Sequence, residues 1–182
     1  MTFSAMNDTN LGKRITQIKW LLCDVDGVLT DGGVYLIGPF FEAKRFNIQD
    51  GMGITLARRA GLKVGFITGR KSFAVKRRAK ELHIDYLSQG EPNKEKSLDM
   101  FLRQAQVATE EIAYIGDDIQ DIPILKRVGL PIAVQNARRE VKDICLYVTS
   151  AEGGHGAVRE VVEWILEGRK QGESVFLSPF GN

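Results

Sequence analysis

Asp24-Val25-Asp26-Gly27-Val28-Leu29-Thr30-Asp31-Gly32 follows directly on Lys19-Trp20-Leu21-Leu22-Cys23. The apolar run reads as a buried strand. Asp24 and Asp26 stand two positions apart at its end, so in extended backbone their side chains point to the same side. Two unpaired carboxylates there would repel, an arrangement that signals a bound cation or an acid–base task. Gly27 lets the chain turn sharply off the sheet. Taken alone, Asp-x-Asp-Gly is also the signature of an Asx-rich turn after a strand. The rest of the chain decides between the two readings.

Outward from this stretch, strand-like and helix-like runs alternate. Val34–Ile37 and Ala43–Phe46 flank Gly38-Pro39 and predict a β-hairpin. A helix over Gly51–Ala60 ends at Gly61, and Val64–Ile67 reads as the next buried strand. Helices over Phe73–Leu82, Lys94–Gln106, Ile119–Val128, near Arg138–Val141 and over Gly156–Leu166 alternate with strands at Tyr86-Leu87, Ile112–Ile115, Pro131–Val134 and Tyr147-Val148. Such alternation predicts an α/β fold with a doubly wound, mostly parallel sheet, to which the hairpin adds a flap. Ligands of such sheets sit beyond the carboxyl ends of the strands. The residues just past the strands are Asp24 and Asp26, then Thr68-Gly69-Arg70, then Gly116-Asp117-Asp118, and all converge on one edge.

That edge gathers Asp24, Asp26, Asp117, Asp118 and Asp121, an oxygen-rich set that suits a hard cation, Mg²⁺ above all. The only histidines, His83 and His155, lie far apart in sequence. Thr68 offers a hydroxyl after a strand, and Lys94 opens a helix after Pro92-Asn93. A cation, a hydroxyl and backbone N–H groups of glycine-rich loops form a cradle for a phosphoryl group. A carboxylate nucleophile with Mg²⁺, Lys and Thr describes phosphoryl transfer through an aspartyl-phosphate. Each residue also has a plain structural reading. Thr68 could cap a turn, Lys94 could be a solvated helix residue, and Asp118 and Asp121 could cap the following helix.

The 182 residues, 43% hydrophobic, suffice for one domain with a sizeable core. The expected boundaries are a flexible segment 1–17, the domain 18–168 and a loosely ordered tail 169–182. A net charge of +2 is too balanced to argue for nucleic acid or a membrane surface as partner. Cys23 and Cys145 read as buried thiols of a reducing compartment. With no apolar leader and no run long enough to span a bilayer, the expected setting is the cytoplasm.

The ordered set resembles the haloacid dehalogenase superfamily of phosphatases over about residues 18 to 165. Asp24–Thr30 matches its first motif, Ile67-Thr68-Gly69-Arg70 the second, Lys94 the third and Gly116–Asp121 the fourth. The resemblance implies Asp24 as nucleophile and Asp26 as the acid that protonates the leaving alcohol and then activates water. It implies Thr68 and Lys94 as phosphoryl-oxygen ligands, with Mg²⁺ held by Asp24, the Asp26 main-chain carbonyl and Asp117. Asp118 and Asp121 would support them. Superfamily caps are inserted between Asp26 and Thr68 or between Thr68 and Lys94. Neither interval has room, so no cap domain is expected.

Asn47–Ile54, Gly69-Arg70 and Gly153–Glu160 are similar to the small capless group of 3-deoxy-D-manno-octulosonate 8-phosphate phosphatases, which form tetramers. That likeness implies a sugar-acid phosphate as substrate, contacted by Asp26, Asn47, Ile48, Gln49, Asp50, Gly51, Gly69, Arg70, Arg78 and Lys94. It also implies a homotetramer built on the apolar hairpin around Val34–Phe46. Two positions depart from the group: Thr55 and His155 stand where basic residues are usual. Nonulosonate 9-phosphates, a broad range of sugar phosphates and a receiver-like phosphorylation switch remain alternatives. A receiver has no need of the second acid at Asp26.

Overall fold

The computed structural model describes residues 9–38 and 41–170. The chain first forms helix α1 (Thr9–Gln17) and strand β1 (Trp20–Cys23), then the hairpin β2 (Tyr35–Ile37) and β3 (Phe41–Ala43). Helix α2 (Ile48–Arg59), β4 (Lys63–Thr68), α3 (Phe73–Glu81), β5 (Tyr86–Gln89) and α4 (Lys94–Ala105) follow. The second half runs β6 (Ile112–Gly116), α5 (Ile122–Leu125), β7 (Leu130–Ala133), α6 (Arg139–Lys142), β8 (Tyr147–Val148) and α7 (Ala157–Gly168).

Six strands form one sheet in the order β5-β4-β1-β6-β7-β8, and every pairing is parallel. The chain builds outward from β1 to β4 and β5, then returns to the other side of β1 for β6, β7 and β8. The carboxyl end of β1 is therefore the switch point where a crevice opens. β1, with Leu21, Leu22 and Cys23 fully buried, is the continuous apolar run of a strand covered on both faces. Helices α1 and α2 each pack on α7, and α4 packs on α5. Gly53 permits the α2–α7 approach, since a Cβ there would lie 2.9 Å from the Arg159 Cα.

Four expectations shift. Thr9–Gln17, placed in the flexible segment 1–17, is helical, because Ile15 buries itself against Gly168 of α7. The second hairpin strand is Phe41–Ala43 rather than Ala43–Phe46, with Tyr35 opposite Ala43 and Ile37 opposite Phe41. Helix α2 starts at Ile48, where the Asn47 side chain accepts the Gln49 N–H as N-cap. The expected helix Ile119–Val128 is a 3₁₀ turn over Ile119–Asp121 followed by the short α5, with Pro123 in its first turn. The tail beyond residue 170 lies outside the described residues. Among them, no helix is long and apolar enough to cross a membrane.

Candidate active site

Asp24 follows β1, and its backbone N–H donates to the Ile115 carbonyl of β6 at 3.0 Å, which fixes it at the sheet edge. The loop after it is held by Thr30. The buried Thr30 hydroxyl donates to the Val25 carbonyl (3.3 Å) and accepts from the N–H groups of Gly27 (3.4 Å) and Gly32 (3.2 Å). Gly27 has φ +98°, and a Cβ there would lie 2.1 Å from Asp117 Oδ2, so the turn needs glycine on both counts. A second loop buttresses the first. The Gly154 N–H donates to the Val28 carbonyl at 2.8 Å, and a Cβ on Gly153 would lie 1.7 Å from the Gly27 oxygen.

Asp24, Asp117 and Asp121 place one carboxylate oxygen each within 4.8 Å of one another. Lys94, only 3% exposed, reaches in from the first turn of α4. Its ammonium lies 2.7 Å from Asp24 Oδ1 and 2.5 Å from Asp121 Oδ1. Asp121 is fully occupied: Oδ1 also accepts from the Tyr114 hydroxyl at 2.6 Å, and Oδ2 accepts the N–H groups of Asp117 (3.1 Å) and Asp118 (3.2 Å). Asp117 differs, because its Oδ1 is buried with no hydrogen-bond partner.

Burial raises the carboxyl of Asp24, against the pull of Lys94, and the charge of Asp121 adds to the rise. Burial likewise raises Asp117, helped by the charges of Asp24 and Asp121. Burial works against the Lys94 ammonium, but the two carboxylates outweigh it and hold its pKa above the ordinary value. Three carboxylates thus face one ammonium, with an orphaned oxygen among them. This oxygen-only set fits a hard divalent cation such as Mg²⁺, whose charge would favour the ionised forms of Asp24 and Asp117.

Thr68 ends β4, buried, and its hydroxyl accepts the Arg70 N–H at 3.2 Å. Asp26 is half-buried and accepts from the Lys44 ammonium. Asp118 turns away to accept the Ile119 N–H at 2.7 Å, and Arg138 lies 3.9 Å from it. The Asn47–Gly51 segment and Arg78 meet. The Arg78 guanidinium donates to the Asn47 carbonyl (3.4 Å), sits 5.9 Å from the Phe46 ring centre, and would be 2.4 Å from a Cβ on Gly51. Ile48 is exposed, while the buried Asp50 accepts the Arg159 N–H at 2.9 Å near the start of α7. Arg70 pairs with Glu42 of the flap at 3.2 Å. His155 Nδ1 lies 3.0 Å from the Gly153 carbonyl, and the Arg45 guanidinium lies 3.2 Å from His155 Nε2.

Sequence reasoning missed Tyr114, Glu42 and Lys44. Tyr114 stands inside an apolar strand, and Glu42 and Lys44 belong to the flap, so nothing local marks their partners. Only the alternation of the two charges along the strand was a signal.

A family profile for haloacid dehalogenase-like hydrolases matches residues 87–161. The 3-deoxy-D-manno-octulosonate 8-phosphate phosphatase of Salmonella typhi is 40% identical over 158 residues, 87% of this chain and 84% of that one. Its counterpart from Escherichia coli K12 is 42% identical over 149 residues, covering 82% and 79%. The crystal structure of the Yersinia pestis enzyme of that name superposes with a TM-score of 0.87 at 39% identity, covering 91% of this chain and 89% of that one. The Moraxella catarrhalis enzyme, solved with magnesium ion, phosphate ion and a KDO molecule, gives 0.89 at 34% identity, covering 93% and 98%.

Proposed function

The chain belongs to the haloacid dehalogenase-like hydrolases, in the family of the 3-deoxy-D-manno-octulosonate 8-phosphate phosphatases, and on that premise we propose a Mg²⁺-dependent phosphatase that hydrolyses 3-deoxy-D-manno-octulosonate 8-phosphate to the free sugar acid and phosphate. The reaction serves lipopolysaccharide precursor synthesis. The observation that carries the reading is the buried meeting of Asp24, Asp117 and Asp121 with Lys94 at the switch point of the sheet.

Asp24 is the nucleophile in this reading. Its oxygen bonds to phosphorus as the bond to the sugar oxygen breaks, and Asp26 gives that oxygen a proton. Water then attacks phosphorus, Asp26 takes the water's proton, and the bond to Asp24 breaks. Thr68 and Lys94 orient the phosphoryl oxygens. Asp24, the Asp26 main-chain carbonyl and Asp117 would hold Mg²⁺, which when bound neutralises charge on the transferring group. Asp121 keeps Lys94 in place, and Asp118 caps the turn that presents Asp121.

Substrate choice falls to the residues around the crevice. Arg70, Arg78 and Gly69, with Asn47, Ile48, Gln49, Asp50 and Gly51, form the proposed binding surface. A guanidinium suits the carboxylate of a 2-keto sugar acid. The exposed Tyr35, Leu36, Ile37 and Phe41 of the flap support a homotetramer in which a neighbour covers the open site.

Phosphate release with Mg²⁺ across a panel of substrates tests the function. Losing a carboxylate–Arg contact costs roughly 1.5–3 kcal/mol, so 3-deoxy-D-manno-octulosonate 8-phosphate should exceed glucose 6-phosphate by about ten- to a hundredfold in kcat/KM. Equal turnover of the two would contradict the substrate, and faster turnover of a nonulosonate 9-phosphate would reassign it.

A further inference from the structure

We propose that Lys44 is a positioning residue for this reaction: it ties down one oxygen of the Asp26 carboxyl and leaves the other aimed for proton exchange with the leaving group. The inference rests on the reading of Asp26 as the general acid. Lys44 directly follows β3, and its side chain has no exposed surface. A buried ammonium is costly without a partner. Its partner is Asp26, through Oδ1, although Asp26 stands 18 residues earlier in the chain. Among the described residues, no other side chain bonds to that carboxyl.

The approach is built by the backbone. An isolated antiparallel bridge between Thr30 and Phe46 pins the segment after β3 against the loop that carries Asp26. Side chains two apart along extended chain share a face. Glu42 and Lys44 therefore both point inward, and Glu42 pairs with Arg70 on the loop after β4 at 3.2 Å. The flap touches the site on both sides through these charges. Phe41, one residue from Glu42, is 72% exposed and faces out.

An Asp carboxyl with both oxygens free can rotate about its terminal torsion, which is broad and roughly two-fold. Fixing Oδ1 on Lys44 makes Oδ2 the oxygen available to the leaving group. As the phosphorus–oxygen bond breaks, the proton moves from Asp26 to the alkoxide oxygen. Lys44 neither gains nor loses a proton and touches no substrate atom.

The test compares kcat/KM for phosphate esters whose leaving groups run from an alkyl alcohol to p-nitrophenol, in wild type, Lys44→Met, Lys44→Arg and Asp26→Asn. General acid catalysis supplies about 10²–10⁴-fold, and mainly to poor leaving groups. Lys44→Met should lose about ten- to a hundredfold on the alkyl ester and much less on the p-nitrophenyl ester, a part of that range. Lys44→Arg should recover some of the alkyl activity. In an Asp26→Asn background, Lys44→Met should add little, since the two act as one unit. A Lys44→Met protein that does not fold is replaced by Lys44→Gln. Equal loss across leaving groups, or losses that multiply with Asp26→Asn, would overturn the role of Lys44. If Asp26→Asn itself showed no leaving-group dependence, the assignment of the general acid would fall first.

Discussion

Lys94 carries the charge balance of the site. It is the ammonium set between Asp24 and Asp121, with Asp117 beside them. Removing one partner of a buried ion pair typically costs about 3–5 kcal/mol, because the remaining charge is left without compensation. Lys94→Met should therefore lower the unfolding free energy in chelator by about that much, read by urea denaturation, and Mg²⁺ should restore part of it. An unchanged midpoint in chelator would show that the cluster does not depend on the ammonium. Asp24, Thr68, Lys94 and Asp117 were legible because each stands at a strand or helix end, where a parallel sheet collects its functional groups. Lys44 and Tyr114 were not. Lys44 meets Asp26 only once the hairpin folds back, and Tyr114 reads as any aromatic in a buried strand would. Asp50 shows both sides. A helix-start acid next to Gly51 was legible as a candidate ligand group, but the N–H of Arg159 that donates to its Oδ1 comes from a distant segment and was not.

Among elements, the hairpin stands out because it keeps its apolar side chains in water. Leu36 is 78% exposed and Phe41 72%. On the proposed homotetramer, Leu36→Asp combined with Phe41→Asp should dissociate the assembly, since burying an unpaired charge is expensive. Light scattering should show the wild type as a tetramer and the double variant as a smaller species. A wild-type monomer at working concentration would remove the proposal. The hairpin itself was legible from Gly38 and the apolar runs that flank it, but its register was not. The strand closes at Ala43, and the charges of Glu42 and Lys44 are drawn to Arg70 and Asp26. Helix α1 was hidden for a different reason. A nine-residue, mostly polar segment is a marginal helix alone. It forms here because Ile15 is buried on α7 and the Arg14 guanidinium donates to the Gly129 carbonyl at 2.9 Å.

At the scale of the whole molecule, six parallel strands bring four separate stretches of sequence to one edge, and the order of the strands puts β1 at the centre. Alternation of strand and helix was enough to place that edge, because crossover rules leave few ways to wind such a sheet. In the proposed reaction this edge transfers a phosphoryl group through Asp24. Rapid acid quench of the enzyme with Mg²⁺ and substrate labelled at phosphorus tests that route most directly. Label should appear transiently on the peptide that contains Asp24. It should be absent from Asp24→Asn, which should stay folded, and absent from wild type in excess chelator. Label on a different peptide, or substantial phosphate release by pure Asp24→Asn, would contradict the route through Asp24.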